Sequence, residues 1–245
     1  MGPAADQRAL QKYIRLSEQV RAMDEGPNAA FTEALKDAEA LFASLQRPHC
    51  LFGALAVSAY TQERRSTLDI DYVTDDQAVE ELTAAAMERN WVPLTDCRQG
   101  PCTLSFRHPN GVTVDILCSG GGFVEAEPQT VTLPGVGTVP VARPVDLIVA
   151  KLRTQGAASG REPQKALIDR ADVLALLRHD PLAYRQARAR LAGRQAELRL
   201  LQQCAREAGL AADPAPGRGW RRWALAALAI AGALAAWGVW ALAGR

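Results

Sequence analysis

Neither sign of charge dominates this chain. Its 245 residues hold 28 Lys and Arg against 27 Asp and Glu, a formal net charge of +1. No overall field therefore favours nucleic acid or an acidic partner, and any such binding has to come from a local patch. Cysteine pairs at metal-binding spacing are missing as well: Cys50, Cys97, Cys102, Cys118 and Cys204 are an odd, scattered set with no C-x-x-C. That weighs strongly against a zinc site gathered from His49, Cys97, Cys102, His108 and Cys118, and favours buried free thiols in a reducing compartment. The opening stretch MGPAADQRALQKYIR has no apolar h-region, so no secretory signal is expected there. No internal repeat is evident. What is present is ordinary for a globular protein: 48% hydrophobic and 22% charged residues, with length enough for a sizeable core and one or two domains.

The C-terminal end departs from this balance. From Trp223 to Ala243 the chain reads WALAALAIAGALAAWGVWALA, 21 residues without a charge or a polar side chain. As a helix it would span about 30 Å, the thickness of a bilayer's hydrocarbon core. Arg218, Arg221 and Arg222 stand before it, only Arg245 follows, and Trp220, Trp223, Trp237 and Trp240 lie near its ends. A buried Ala-rich core helix would seldom lack any polar face. A membrane span is expected, with the N-terminal part in the cytoplasm.

The apolar periodicity predicts amphipathic helices over 6–23 and 28–46, separated by Glu25-Gly26-Pro27. A strand over His49–Phe52 runs into Gly53, followed by a helix over Ala54–Gln62, a strand over Leu68–Thr74 and a helix over Asp76–Asn90 with an acidic first turn. A short strand near Trp91–Leu94 precedes Cys102–Arg107 and Val112–Leu117, which flank Pro109-Asn110-Gly111, a strong hairpin signal. Val131–Val141 is a strand pair around Pro134-Gly135, Pro144 opens a helix to about Thr154, and helices follow over 162–178 and 181–208. Ala211–Arg218 is a Pro/Gly linker. The expected fold is α+β: a small mixed sheet core over 47–143, N-terminal helices over 1–46, a helical subdomain over 144–210, a linker over 211–222 and a transmembrane helix over 223–243.

The chemistry is concentrated in CLFGALAVSAYTQERRSTLDIDYV, Cys50–Val73. Residues i and i+2 of a strand share a face, so Asp69 and Asp71 project together while Ile70 turns into the core. Two like charges that close stay ionised cheaply only with something positive between them, and a divalent metal such as Mg²⁺ does this well. A third carboxylate, Asp115, sits in the otherwise apolar strand Val114-Asp115-Ile116. Asp-x-Asp alone is as readily a solvent-facing edge strand, and Asp115 alone a hairpin surface residue. Together with a small-residue turn at Gly53-Ala54 they favour a site.

These residues resemble the nucleotidyltransferase superfamily of the DNA polymerase β type. The resemblance rests on Phe52-Gly53-Ala54, a short helix, Asp69-Ile70-Asp71-Tyr72 and the later Asp115. The wording GALAVSAY…RRSTLDIDYV is most similar to AbiEii-like and related minimal bacterial nucleotidyltransferases, in which an Arg-x-Thr, here Arg65-Ser66-Thr67, precedes the Asp-x-Asp. Asp146-Leu147-Ile148, Lys151-Leu152, Asp169 and Asp172 match the later helices less specifically, and the likeness covers roughly residues 45–178. It implies transfer of a nucleoside monophosphate from an NTP to an acceptor hydroxyl, with two Mg²⁺ ions. Asp69 and Asp71 would be metal ligands and Asp115 a metal ligand or base. Gly53 and Ala54 would lie at the triphosphate, with Arg65 and Lys151 as phosphate contacts. A tRNA, a protein or a small molecule would be the acceptor, an antitoxin-like protein a possible partner, and the bacterial inner membrane the location of the anchor.

Bland readings stand beside several of these residues. Arg65 pairs equally well with Glu63 or solvent, and Lys151 equally well snorkels. Asp169 and Asp172 would cap or pair with Arg161, Lys165 or Arg170. The six arginines from Arg185 to Arg206, on one long helix, are more readily a solvated face than an RNA-binding one. Ala54 stands where Ser or Gly is common in the family. It is the main feature favouring a second reading, a catalytically silent nucleotidyltransferase-like domain acting as a membrane-anchored binding or regulatory module.

Overall fold

A computed structural model describes residues 29–62, 67, 69–75, 79–94, 102–118, 127–156 and 163–210. Helix α1, Ala29–Leu45, buries Ala34, Leu35, Ala38, Leu41 and Phe42, the one-sided spacing expected of an amphipathic helix. It stops at Gln46, whose φ of 51° is left-handed, two residues before Pro48. Strand β1, His49–Phe52, then leads without a linker into α2, Gly53–Thr61. Strand β2, Asp69–Thr74, is followed by α3, Val79–Glu88, with Glu80 and Glu81 in its first turn. Next come β3, Val92–Pro93, and the hairpin of β4, Cys102–Arg107, with β5, Thr113–Cys118. A second hairpin joins β6, Gln129–Leu133, to β7, Gly137–Val141. The described residues end with α4, Pro144–Gly156; α5, Pro163–His179; α6, Leu182–Arg190; and α7, Gln195–Glu207.

The seven strands form one mixed sheet in the order β3-β4-β5-β2-β1-β7-β6. Two contacts in it are parallel, β2 with β5 and β1 with β7, and the rest are antiparallel. Strand alternation decides which face is core. Ile70 and Tyr72 on β2, and Val114 and Ile116 on β5, are at most 1% exposed, whereas Asp69, Asp71 and Asp115 between them are half-buried. Helix α1 covers the apolar face. Its Phe42 ring lies 5.0 Å from Tyr72 and stacks on His49 at 4.2 Å, and the Tyr72 hydroxyl donates to Glu39 Oε1 at 2.7 Å. The carboxylates are thereby turned to the opposite face.

Helices α4 to α7 pack on one another, and α2 packs on α4 and α5. Leu147, Ile148 and Leu152 of α4 are at most 1% exposed, and fully buried Asp146 pairs with Arg190 of α6. The expected single helix over 181–208 is in fact two. Gly193 has a φ of 87°, a left-handed conformation that glycine adopts without a steric penalty, and it breaks the helix between Arg190 and Gln195. The six arginines consequently do not share one helical face. The expected helix over 6–23, the linker and the transmembrane segment over 223–243 lie outside the described residues. Among the described residues no helix is long and apolar enough to cross a membrane.

Candidate functional site

The register of the sheet assembles the acidic residues. β2 and β5 run parallel with Asp71 paired to Asp115 and Asp69 to Thr113. Asp69, Asp71 and Asp115 each offer a carboxylate oxygen, and these oxygens lie within 4.8 Å of one another. Among the described residues this is the His/Cys/Asp/Glu group with the geometry to hold a metal ion. The zinc alternative gains nothing: the buried Cys118 thiol donates to the Ile116 carbonyl at 3.8 Å, and Cys97 lies outside the described residues. His49 and His108 are engaged elsewhere, with Glu39 at 3.1 Å and Asp37 at 3.0 Å.

Two hydroxyls brace the cluster. Thr67 Oγ1 donates to Asp69 Oδ1 at 2.8 Å, sharing its proton with the Asp69 carbonyl at 3.0 Å. Ser105 Oγ donates to Asp115 Oδ1 at 2.5 Å. The third carboxylate is held by packing instead. Gly53 follows β1 directly, and Phe52 at the end of that strand is in register with Asp71. A Cβ built on Gly53 would lie 1.9 Å from Asp71 Oδ2 and 2.6 Å from its Cγ, and the φ of Gly53 is +63°. Only glycine fits, both for the backbone and for the carboxylate against it.

Electrostatics mark Asp71 as the strained member. Its carboxyl is raised to about 6, first by burial and then by Asp69 and Asp115, while Lys151 and Lys165 work in the opposite sense. Such a group favours the fold most fully below the ordinary carboxylate range, near pH 3.8, and loses that contribution as pH rises through about 6. Above pH 6 the metal-free cluster holds mutually repelling charges that a cation relieves. All-oxygen donors of this kind suit a hard divalent ion.

The accessory residues distribute differently from expectation. Lys151 does not snorkel. Its ammonium lies 3.0 Å from Asp169 Oδ1 and 2.6 Å from Asp172 Oδ2, and both acids are nearly fully buried. Asp169 and Asp172 thus share Lys151 as a partner, Arg170 pairs with Glu207, and Arg161 lies outside the described residues. An ion set of this kind is costly to break, because removing one member strands a buried charge. Ala54 follows Gly53 in the first turn of α2. Arg65 lies outside the described residues. Sequence reasoning missed Ser105; it placed Thr67 in the Arg-x-Thr motif without its bond to Asp69, and Lys165 near Asp169 and Asp172 without its pull on Asp71. Ser105 was within reach of it: the five-residue connection at 108–112 pairs Arg107 with Thr113, and counting back places 105 opposite 115.

No protein-family model and no curated protein matches the chain. Solved structures do. ANT(2'')-Ia, described as an antibiotic-resistance factor, aligns over 70% of this chain and 95% of its own, with a TM-score of 0.50 and 14% identity. An antigenic nucleotidyltransferase-like protein from Paracoccidioides brasiliensis aligns over 71% and 94%, with a TM-score of 0.45 and 14% identity. The lincomycin-bound lincosamide antibiotic adenylyltransferase LnuA aligns over 57% and 91%, with a TM-score of 0.41 and 15% identity. At these identities the likeness is one of fold, and the first of the three carries it. The chain shares the fold of ANT(2'')-Ia.

Proposed function

We propose that this protein is a Mg²⁺-dependent nucleotidyltransferase that moves a nucleoside monophosphate from an NTP to an acceptor hydroxyl. One observation carries the reading: three carboxylates from two adjacent strands converge within 4.8 Å on the sheet face opposite α1. Asp69 and Asp71 would hold divalent ions together with the nucleotide's phosphates, and Asp115 would ligate a second ion or take the proton of the acceptor hydroxyl. The cations supply charge neutralisation at the reacting phosphate. Backbone amides at Gly53 and Ala54, opening α2, suit the terminal phosphates. Lys151, and Arg65 if it reaches the site, would add positive charge there. The AbiEii-like wording around Asp69 and Asp71 belongs to this proposal, as does an antitoxin-like partner. The acceptor is a tRNA, a protein or a small molecule; the description of ANT(2'')-Ia as a resistance factor puts small antibiotics among the acceptors to try.

The test uses full-length protein in detergent with NTPs labelled at the α-phosphate. Label should move to an acceptor in one arm among tRNA, protein lysate and small antibiotics, and only with Mg²⁺ present. Mg²⁺ should raise the melting temperature at pH 7.5 and much less at pH 5, where a proton occupies Asp71. Label that stays on the NTP in every arm, with melting indifferent to Mg²⁺, sinks the enzyme and leaves a silent binding module.

We also propose that residues 223–243 anchor the protein in a bacterial inner membrane with the catalytic part in the cytoplasm, on the strength of the uncharged 21-residue run and its arginine flank. After an alkaline carbonate wash the full-length chain should stay in the membrane pellet. Release equal to that of a chain ending at Pro216 would refute the anchor.

A further inference from the structure

β4 and β5 pair antiparallel with Ser105 directly opposite Asp115, so both side chains stand on the face that carries the cluster. On either side of Ser105, Leu104 and Phe106 turn into the core at 4% and 0% exposure. A carboxylate has two oxygens and a soft terminal torsion, so an Asp on a half-open face samples many orientations. A hydroxyl donating at 2.5 Å to one of its oxygens removes most of that freedom. Solvent would serve a half-buried carboxylate equally well if satisfaction were all that mattered. The device occurs twice, since the Thr67 hydroxyl likewise holds one oxygen of Asp69.

We propose that Ser105 is a positioning residue for Asp115: its hydroxyl engages Oδ1 and leaves Oδ2 as the oxygen offered to the cation and the acceptor hydroxyl. The proposal rests on the reading of the three carboxylates as a cation site. In this role Ser105 acts through Asp115. It acts by fixing which way Asp115 points, as outer partners of metal ligands do.

The experiment measures Mn²⁺ binding alone, by the signal of the free ion, to full-length wild type, Ser105→Ala, Ser105→Thr and Asp115→Asn. Melting curves accompany each isotherm, and single-turnover transfer with the NTP KM is measured for the two Ser105 variants. Ser105→Ala should lose about 10-fold or more in Mn²⁺ affinity and in transfer rate, within the usual 10–100-fold range for such partners. Its NTP KM and melting temperature should stay close to wild type. Ser105→Thr keeps the hydroxyl on a β-branched residue suited to a strand, and should recover most of the loss. A Ser105→Ala isotherm equal to wild type overturns the proposal, as does a Ser105→Thr variant no better than Ser105→Ala. The Asp115→Asn isotherm tells the two levels apart. If it is weakened while Ser105→Ala is normal, only the role of Ser105 falls; if it too is normal, the cation reading of Asp115 falls and takes this proposal with it.

Discussion

Asp115→Asn is expected to lower single-turnover transfer by about three orders of magnitude, ~4 kcal/mol at 1.4 kcal/mol per decade, with the fold intact. The substitution is isosteric and keeps an oxygen that can accept from Ser105. A surface residue changed this way costs less than about 0.5 kcal/mol and leaves activity alone. Asp115 instead lies in register with Asp71 on the neighbouring strand, and its carboxylate belongs to the 4.8 Å cluster. Losing that charge removes the group proposed to act on the second cation or the acceptor hydroxyl, whereas NTP binding, resting mainly on Asp69 and Asp71, should weaken far less. Stability should move the other way. Asp115 is among the groups that raise the Asp71 carboxyl, so its neutralisation relieves repulsion in the metal-free protein above about pH 6. Single-turnover transfer and melting curves on one preparation check both halves. Normal transfer by this variant would falsify the three-carboxylate mechanism.

Gly53→Ala should abolish Mn²⁺ binding and transfer together, by about 100-fold or more, because a displacement of about 1 Å at a reacting group already costs that much. Two penalties coincide here. The left-handed φ of +63° costs a non-glycine residue about 1–2 kcal/mol, or a few degrees of melting temperature in a chain of this size. The larger effect is local: a Cβ 1.9 Å from Asp71 Oδ2 and 2.9 Å from Asp71 Cβ forces that side chain out of the cluster. Gly111→Ala is the control, since Gly111 has a φ of +91° but open space around it. It should pay the backbone cost and keep activity. If the two variants lose stability equally and both keep Mn²⁺ binding, the packing of Gly53 on Asp71 has no functional consequence.

Much of the core was legible along the chain because its signals are local. Period-2 alternation in DIDYV and VTVDIL located β2 and β5 and their inward and outward residues, and Pro109-Asn110-Gly111 located the hairpin. Gly193 was missed as a helix break between two arginine-rich segments because a lone glycine inside a helical pattern is usually tolerated. The ion partners of Lys151 went unseen for another reason. They lie 18 and 21 residues away on a different helix, and no local pattern announces an ion set closed by the packing of α4 on α5.

The sequence by itself determined that Asp69 and Asp71 share a strand face, because alternation is a property of one strand, and that Asp115 interrupts another apolar strand. Only the tertiary structure decided that these carboxylates meet. The parallel pairing of β2 with β5 joins segments more than forty residues apart, and strand order depends on which faces bury best rather than on any local signal. The same holds for Gly53. Its place after a strand is written in the chain, but the reason no side chain is tolerated there is a carboxylate from the adjacent strand, brought against it by the register of Phe52 with Asp71.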